Sequence, residues 1–306
     1  MNTLVIGDIH IKEDAIPEIR TIMDEIKSLQ MERIDYIVLL GDYFDTLKMP
    51  NNTELVFGAQ LLTDIRNHFE PLSITVVRGN HGDLGVKGNT VDSFQCLEDV
   101  FVADDTFIGS VYFGHKCTER SKMYFGNGIK EVSQWEVPIS HLETQYTRSF
   151  LGHQHDYQEV TDKITHLGSV RFVSHGERLA NKRVAVIRDC ETTNPIITYH
   201  ELKTPIKLVN VRTVEELQSI DRNSKVRFIY EDFVYYKDTL EVVRSICEEF
   251  VSYKIDKKFA SKETAGQLKV DKTSNIKALV SEWLGTIKDV DVHRQLMEVF
   301  KKNGLL

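Results

Sequence analysis

The sequence predicts an α/β (α+β) fold, and three observations carry that expectation. Short β-rich runs alternate with helical periodicity through the first half. The pattern turns strand-rich after residue 160, and strand, helix, strand and helix follow one another again beyond Thr204-Pro205.

In chain order, Leu4-Val5-Ile6 reads as a strand, and Ile16, Ile19, Ile22, Met23, Ile26 and Leu29 then recur at helical spacing. Tyr36 to Leu40 is a continuous apolar run, as in a strand buried on both faces. Thr53 to Phe69 predicts a second helix, with Thr53 as its N-cap. Ile74 to Val77 is a third strand, and Val111-Tyr112-Phe113 and Ser149-Phe150-Leu151 supply two more. Such an order implies a mixed or parallel sheet with helices packed on its faces. Ile164 to Leu167, Val184 to Ile187 and Ile196 to Tyr199 extend the β content. Segments 206–212, 213–220, 225–230 and 236–252 then predict a small α+β unit. The Lys-rich stretch 255–274 reads as a loop, and helices over about Ser274 to Ile287 and Asp291 to Lys302 finish the chain.

The 306 residues suffice for one large domain and a smaller unit, and 41% hydrophobic with 27% charged residues describes an ordinary soluble protein. A formal charge of −8 argues against a broad basic face. It does not exclude nucleic acid, because bound divalent cations can supply the positive charge phosphate needs. Cys96, Cys117, Cys190 and Cys247 show no paired spacing, which points to a reduced, intracellular, cytoplasmic protein. The first residues meet charge too early for a signal peptide, and no apolar run reaches membrane-spanning length.

Five predicted strands each run into a metal-competent motif. These are Gly7-Asp8-Ile9-His10, Gly41-Asp42-Tyr43-Phe44-Asp45, Gly79-Asn80-His81, Gly114-His115 and Gly152-His153-Gln154-His155. In open α/β sheets the ligand site lies at the carboxyl ends of the strands, so motifs distant in sequence converge there. The preceding glycines would let the backbone turn sharply near an ion. Asp-X-His and His-X-His would place two ligands on one side of an extended segment. Imidazole, carboxylate and one amide oxygen suit paired transition ions, which clamp a phosphate and activate a water.

This series of motifs resembles the calcineurin-like metallophosphoesterase superfamily over roughly residues 1–200, and within it the SbcD/Mre nucleases and phage recombination endonuclease subunits. The narrower likeness rests on Leu167-Gly168-Ser169-Val170-Arg171 with Glu177, on the small α+β unit and on the helical tail. The resemblance implies a four-layer-type β-sandwich metallophosphoesterase domain flanked by helices over 1–204. It implies a small α+β capping domain over 205–256, and a linker with C-terminal helices over 257–306 that could dock a partner. It further implies two divalent ions, with Mn2+ expected and Mg2+, Fe2+ or Zn2+ as alternatives. Asp8, His10 and His155 would hold one, Asn80, His115 and His153 the other, and Asp42 would bridge them. His81 would contact the scissile phosphate and protonate the leaving oxygen, with Asp45 orienting it. His141 is a rival to His115 for the fourth motif, and His175 is of interest for its place between Arg171 and Glu177.

The function so implied is a metal-dependent DNA nuclease of repair, recombination or replication. It would work as a homodimer on DNA with an SMC-like (SbcC/Rad-type) ATPase, away from membranes. The alternative is a phosphatase or phosphodiesterase acting on protein or small phosphate esters, since Arg78-Gly79-Asn80-His81 also resembles the protein Ser/Thr phosphatases. In those enzymes an arginine follows the second motif, whereas here Thr46-Leu47 follows Asp45.

Overall fold

A computed structural model describes residues 1–46, 49–81, 90–118, 136–258 and 297. The two helices expected between Ser274 and Lys302 lie, apart from Met297 in helical conformation, outside the described residues.

Strand β1 (Thr3–Ile6) leads through a short 3-10 turn into helix α1 (Ile16–Ser28), then β2 (Tyr36–Leu39), α2 (Asn52–Phe69) and β3 (Ser73–Val77). Short strands β4 (Val100–Ala103) and β5 (Thr106–Ile108) precede β6 (Val111–Gly114), β7 (Lys116–Thr118) and β8 (Glu136–Pro138). Helix α3 (Ile139–Gln145), β9 (Arg148–Leu151), β10 (Gln158–Glu159), β11 (Ile164–His166), β12 (Arg183–Arg188) and β13 (Ile196–Glu201) follow. A six-stranded sheet runs β13-β12-β1-β2-β3-β4, and a five-stranded one runs β10-β11-β9-β6-β5. Strands β1 to β4 are mutually parallel, as are β6, β9 and β11, while β12 runs antiparallel to β1. The first sheet is therefore mixed.

Side-chain alternation along the strands builds the layers. Leu4 and Ile6 of β1, Ile37 and Leu39 of β2, and Ile74 and Val76 of β3 pack on one face against Ile19, Ile22 and Ile26 of α1 and Phe57, Leu61 and Ile65 of α2. Val5, Val38 and Val77 point the other way, onto Val111, Phe113 and Phe150 of the second sheet. That sheet's far face, with Tyr112, Leu151 and Ile164, packs on Leu142 of α3. Helices, sheet, sheet and helix make four layers, as the family resemblance implies. Strands β1 and β2 are buried on both faces, which is why they read as unbroken apolar runs.

A second unit follows with its own core: β14 (Leu208–Val211), α4 (Val214–Ser219), β15 (Lys225–Tyr230), α5 (Phe233–Cys247) and β16 (Ser252–Lys257). Its three strands are parallel in the order β14-β15-β16. Here the sequence reading needs correction. The helix expected over 236–252 starts earlier, where the Asp232 carboxylate accepts a bond from Tyr235 N, and it stops at Cys247. Residues 252–257, divided above between helix and loop, form an edge strand. Its polar, largely exposed side chains give no apolar alternation to read. Strands β4 and β5 were missed because each is short and lies at a sheet edge, with Phe101 and Phe107 exposed.

The start of α2 also differs from expectation. Its N-cap is Asn51, not Thr53. The Asn51 side chain accepts from Glu54 N, and the Glu54 carboxylate accepts from Asn51 N, a reciprocal capping box. Glu54 also accepts from Glu13 N, so the cap ties the turn after β1 to the head of α2. Asn51→Ala is accordingly expected to cost about 1 kcal/mol of stability in urea unfolding, and Thr53→Ala less than about 0.5 kcal/mol. The reverse ranking would move the cap back to Thr53.

Candidate metal centre

All five motifs emerge from the carboxyl ends of parallel strands and meet at one end of the sandwich. Asp8 and His10 follow β1, Asp42 and Asp45 follow β2, and Asn80 and His81 follow β3. His115 follows β6, and His153 and His155 follow β9. The loops after β1 and β2 are stitched together by bonds from His10 N to Asp42 O (2.9 Å), Ile11 N to Tyr43 O (2.8 Å) and Asp45 N to Ile11 O (2.9 Å). The buried Tyr43 hydroxyl donates to Gly58 O at 2.8 Å and anchors the second loop to α2.

The local geometry departs from the extended segments expected. His10 (φ 51°), Asp42 (φ 35°) and His153 (φ 68°) all occupy the left-handed region, so tight turns rather than strand alternation aim them inward. Arg171, buried, pins one such turn by donating to Ile9 O (3.2 Å) and His10 O (2.8 Å). The glycines serve a purpose other than the one anticipated. Gly41 combines φ +105° with a backbone so close to His115 that a Cβ would stand 2.4 Å from Nδ1. At Gly79 a Cβ would stand 2.2 Å from Asp42 Oδ1. These glycines make room for neighbouring donor side chains, not for an ion.

Ligand-type atoms gather in three overlapping sets, each within 4.8 Å: Asp8, His10 and Asp42; Asp42, His115 and His153; His10, Asp45 and His81. Asp42 is common to the first two. The Asn80 amide oxygen joins the second, 2.8 Å from His115 Nε2 and 2.9 Å from His153 Nδ1. His115 donates from Nδ1 to Leu40 O at 3.3 Å, which turns Nε2 towards Asn80 and towards Asp42 Oδ2 at 3.6 Å. His155 packs its ring 4.8 Å from that of His10. His141 is exposed on α3, against Tyr146, so the structure brings His115 and not His141 into the cluster. His175 turns away towards the second unit, where Asn210 donates to its carbonyl.

Asp45 behaves differently from its sequence reading. Its backbone carbonyl, not its carboxylate, accepts the bond from His81 Nδ1 at 2.7 Å. The carboxylate lies 3.3 Å from His10 Nδ1 instead. Sequence reasoning also missed Arg171 as a brace and gave Lys182 no notice. Lys182 is buried and donates to His155 O at 2.8 Å, and nothing in its local sequence marks it.

The donor set fits a divalent cation. Both Asp8 oxygens and His10 Nε2 are buried with no hydrogen-bond partner, and His10 Nδ1 has only the Asp45 carboxylate at 3.3 Å, a costly state unless a cation completes them. Burial and then the adjacent Asp42 charge push the Asp8 carboxyl well above the usual carboxylate range. Burial opposes ionisation at Asp42 too, but His115, His10 and the His81 N–H outweigh it and hold that carboxyl below its ordinary value. Burial lowers His10 and His115, and burial with His115 and Lys116 nearby brings His153 to about 4. All three imidazoles are thus biased towards the neutral form, the one that binds metal.

Residues 1–200 match the calcineurin-like phosphoesterase family, and the chain belongs to that family. It is therefore a metal-dependent hydrolase of phosphoester bonds. No curated protein matches the chain by sequence. Among solved structures it is similar to the crystal structure of the Pseudomonas putida nuclease MPE, with 13% identity and a TM-score of 0.32, covering 64% of this chain and 87% of that one. Among the described residues, no helix is long and apolar enough to cross a membrane.

The His153 shift predicts an acid dependence of folding in chelator-treated protein. Its imidazole takes up a proton near pH 6.5 when unfolded but only near pH 4 when folded, so stability falls as pH drops through that window. His153→Gln should make the stability profile shallower between those limits and leave it unchanged above them, as read from urea midpoints. Identical slopes in the two proteins would contradict the shift.

Proposed function

We propose that the chain is a two-metal DNA nuclease, and one observation carries the choice of phosphodiester over phosphomonoester. A monoester brings two negative charges to the site and a diester one, so monoester enzymes gain from a cationic side chain aimed at the phosphate. Among the described residues, the cationic side chains flanking the motifs are engaged elsewhere. Arg78 is held by Asp92 at 2.7 Å and Asp104 at 2.9 Å. Lys116 pairs with Glu136 at 2.8 Å, Arg171 is spent on backbone carbonyls, and Lys182 on Glu177. The arginine that follows the second motif in the protein Ser/Thr phosphatases is replaced as well, since Thr46-Leu47 follows Asp45.

In this reading Asp8, His10 and His155 would hold one ion and Asn80, His115 and His153 the second, with Asp42 available to both. Manganese is the expected metal. The ions, when bound, neutralise charge developing on the phosphate and activate a water. The protein's own contribution is to fix that geometry and to supply a proton. His81 Nδ1 donates to the Asp45 carbonyl, so it is as imidazolium that His81 would give its Nε2 proton to the departing oxygen and return to the neutral form. The second unit, in the place of a DNA-capping domain, and the likeness to SbcD/Mre nucleases support DNA as substrate. They also support a homodimer acting with an SMC-like ATPase in repair or recombination.

With manganese, labelled duplex DNA and bis-p-nitrophenyl phosphate should be hydrolysed in preference to p-nitrophenyl phosphate. A faster monoester reaction would return the chain to the phosphatases. His81→Ala should retain its metal yet lose on the order of a hundredfold to ten-thousandfold in turnover, the usual share of a general acid. Loss of metal in step with activity would instead make His81 a ligand.

A further inference from the structure

Behind His155 lies an ion pair that the hydrolytic reading does not use. Glu177 and Lys182 are each only 5% exposed and meet at 2.6 Å between Oε2 and Nζ. Two buried opposite charges are costly to desolvate, so their surroundings should show what they secure. The Lys182 ammonium donates to Ser169 Oγ (3.2 Å) and to the backbone carbonyl of His155 (2.8 Å), above the Phe172 ring at 4.6 Å. Glu177 Oε1 accepts from Val173 N (2.8 Å) and Ser174 N (2.6 Å), and it stands 3.3 Å from His155 Nδ1. Main chain and imidazole of one residue are thus held by the two ends of one ion pair.

We propose that Glu177 and Lys182 are positioning residues for His155, fixing its tautomer and ring direction towards the ion it shares with Asp8 and His10. The chemistry follows from the atoms. An ionised carboxylate only accepts, so Nδ1 facing Glu177 carries the proton, and the lone pair resides on Nε2. A metal-binding histidine needs that tautomer, and a carboxylate behind the ring supplies it and strengthens the donor. Glu177 has little freedom to leave, because two backbone N–H groups fix one oxygen and the ammonium fixes the other. Ser169 closes the loop, its N–H donating to His155 O (3.1 Å) and its hydroxyl to Arg171 O (2.6 Å), and Arg171 in turn holds the His10 turn. Segment 169–182 therefore braces two residues of the same ligand set, and no described contact joins the pair to His115 or Asn80. The effect belongs to one ion only.

The inference rests on His155 being a ligand, and the test separates the two. Calorimetric titration of the chelator-stripped full chain with Mn2+ should show two binding steps. Glu177→Gln and Lys182→Met should each weaken one step by about tenfold to a hundredfold, the usual size of an outer-shell loss. The other step should not move, and Lys182→Arg should recover most of the loss. His155→Ala should weaken the same step more. A purely structural role would instead lower the melting temperature in chelator and shift both steps or neither, and either result overturns the proposal. Two unchanged steps in His155→Ala would remove the ligand reading itself. Glu177→Gln keeps the shape of the carboxylate, so it remains informative should Lys182→Met fold poorly.

Discussion

Two carboxylates buried side by side govern this structure. Asp8 and Asp42 leave the ends of adjacent parallel strands, whose register pairs Ile6 with Leu39, and that places them within 4.8 Å of each other and of His10. Neither can reach water, and two like charges so close cannot both ionise without a counter-charge. The dryness comes from the sandwich. Strands β1 and β2 are central in the first sheet, covered by α1 and α2 on one face and by the second sheet on the other. The burial that gives the protein its core also makes a cation necessary at the strand ends.

Holding the donors there requires unfavourable backbone. His10, Asp42 and His153 sit in a region L-residues avoid, at a cost of roughly 1–3 kcal/mol each. The strain is held by what surrounds it: the stitched loops after β1 and β2, the Arg171 guanidinium on two carbonyls, and the clearance at Gly41 and Gly79. An alanine at Gly79 would drive its Cβ into Asp42, so an apparently conservative change would strike the central carboxylate. The site is a set of turns that the core makes affordable.

What could be read from the sequence follows from range. Strands were legible because apolar periodicity is a local signal, and the Gly-led motifs that end them, with the seven residues expected as ligands, fall at one end of the sandwich. Features that depend on partners distant in sequence were not legible. Asn51 caps α2 through a bond to Glu54 that also reaches Glu13. Asp45 divides its carbonyl and carboxylate between His81 and His10. Lys182 reaches back to His155, and only the fold brings them together. Glu177 was visible through resemblance alone, with no indication of which side chain it would meet. Strand β16 escaped because a charged edge strand carries no apolar rhythm.

Charge balance gives a reason for two ions rather than one. Asp8, Asp42, Asp45 and Glu177 surround the histidines, and of the nearby cationic side chains among the described residues only Arg171 and Lys182 are not already paired with carboxylates outside this group. With all four carboxylates ionised, two negative charges remain uncompensated. One divalent cation would bring the cluster to neutrality and settle Asp8, but a neutral cluster has no long-range attraction for a phosphate. A second divalent cation turns it positive, in a dry site where charge acts strongly. The protein can then attract an anionic phosphoester despite a formal charge of −8.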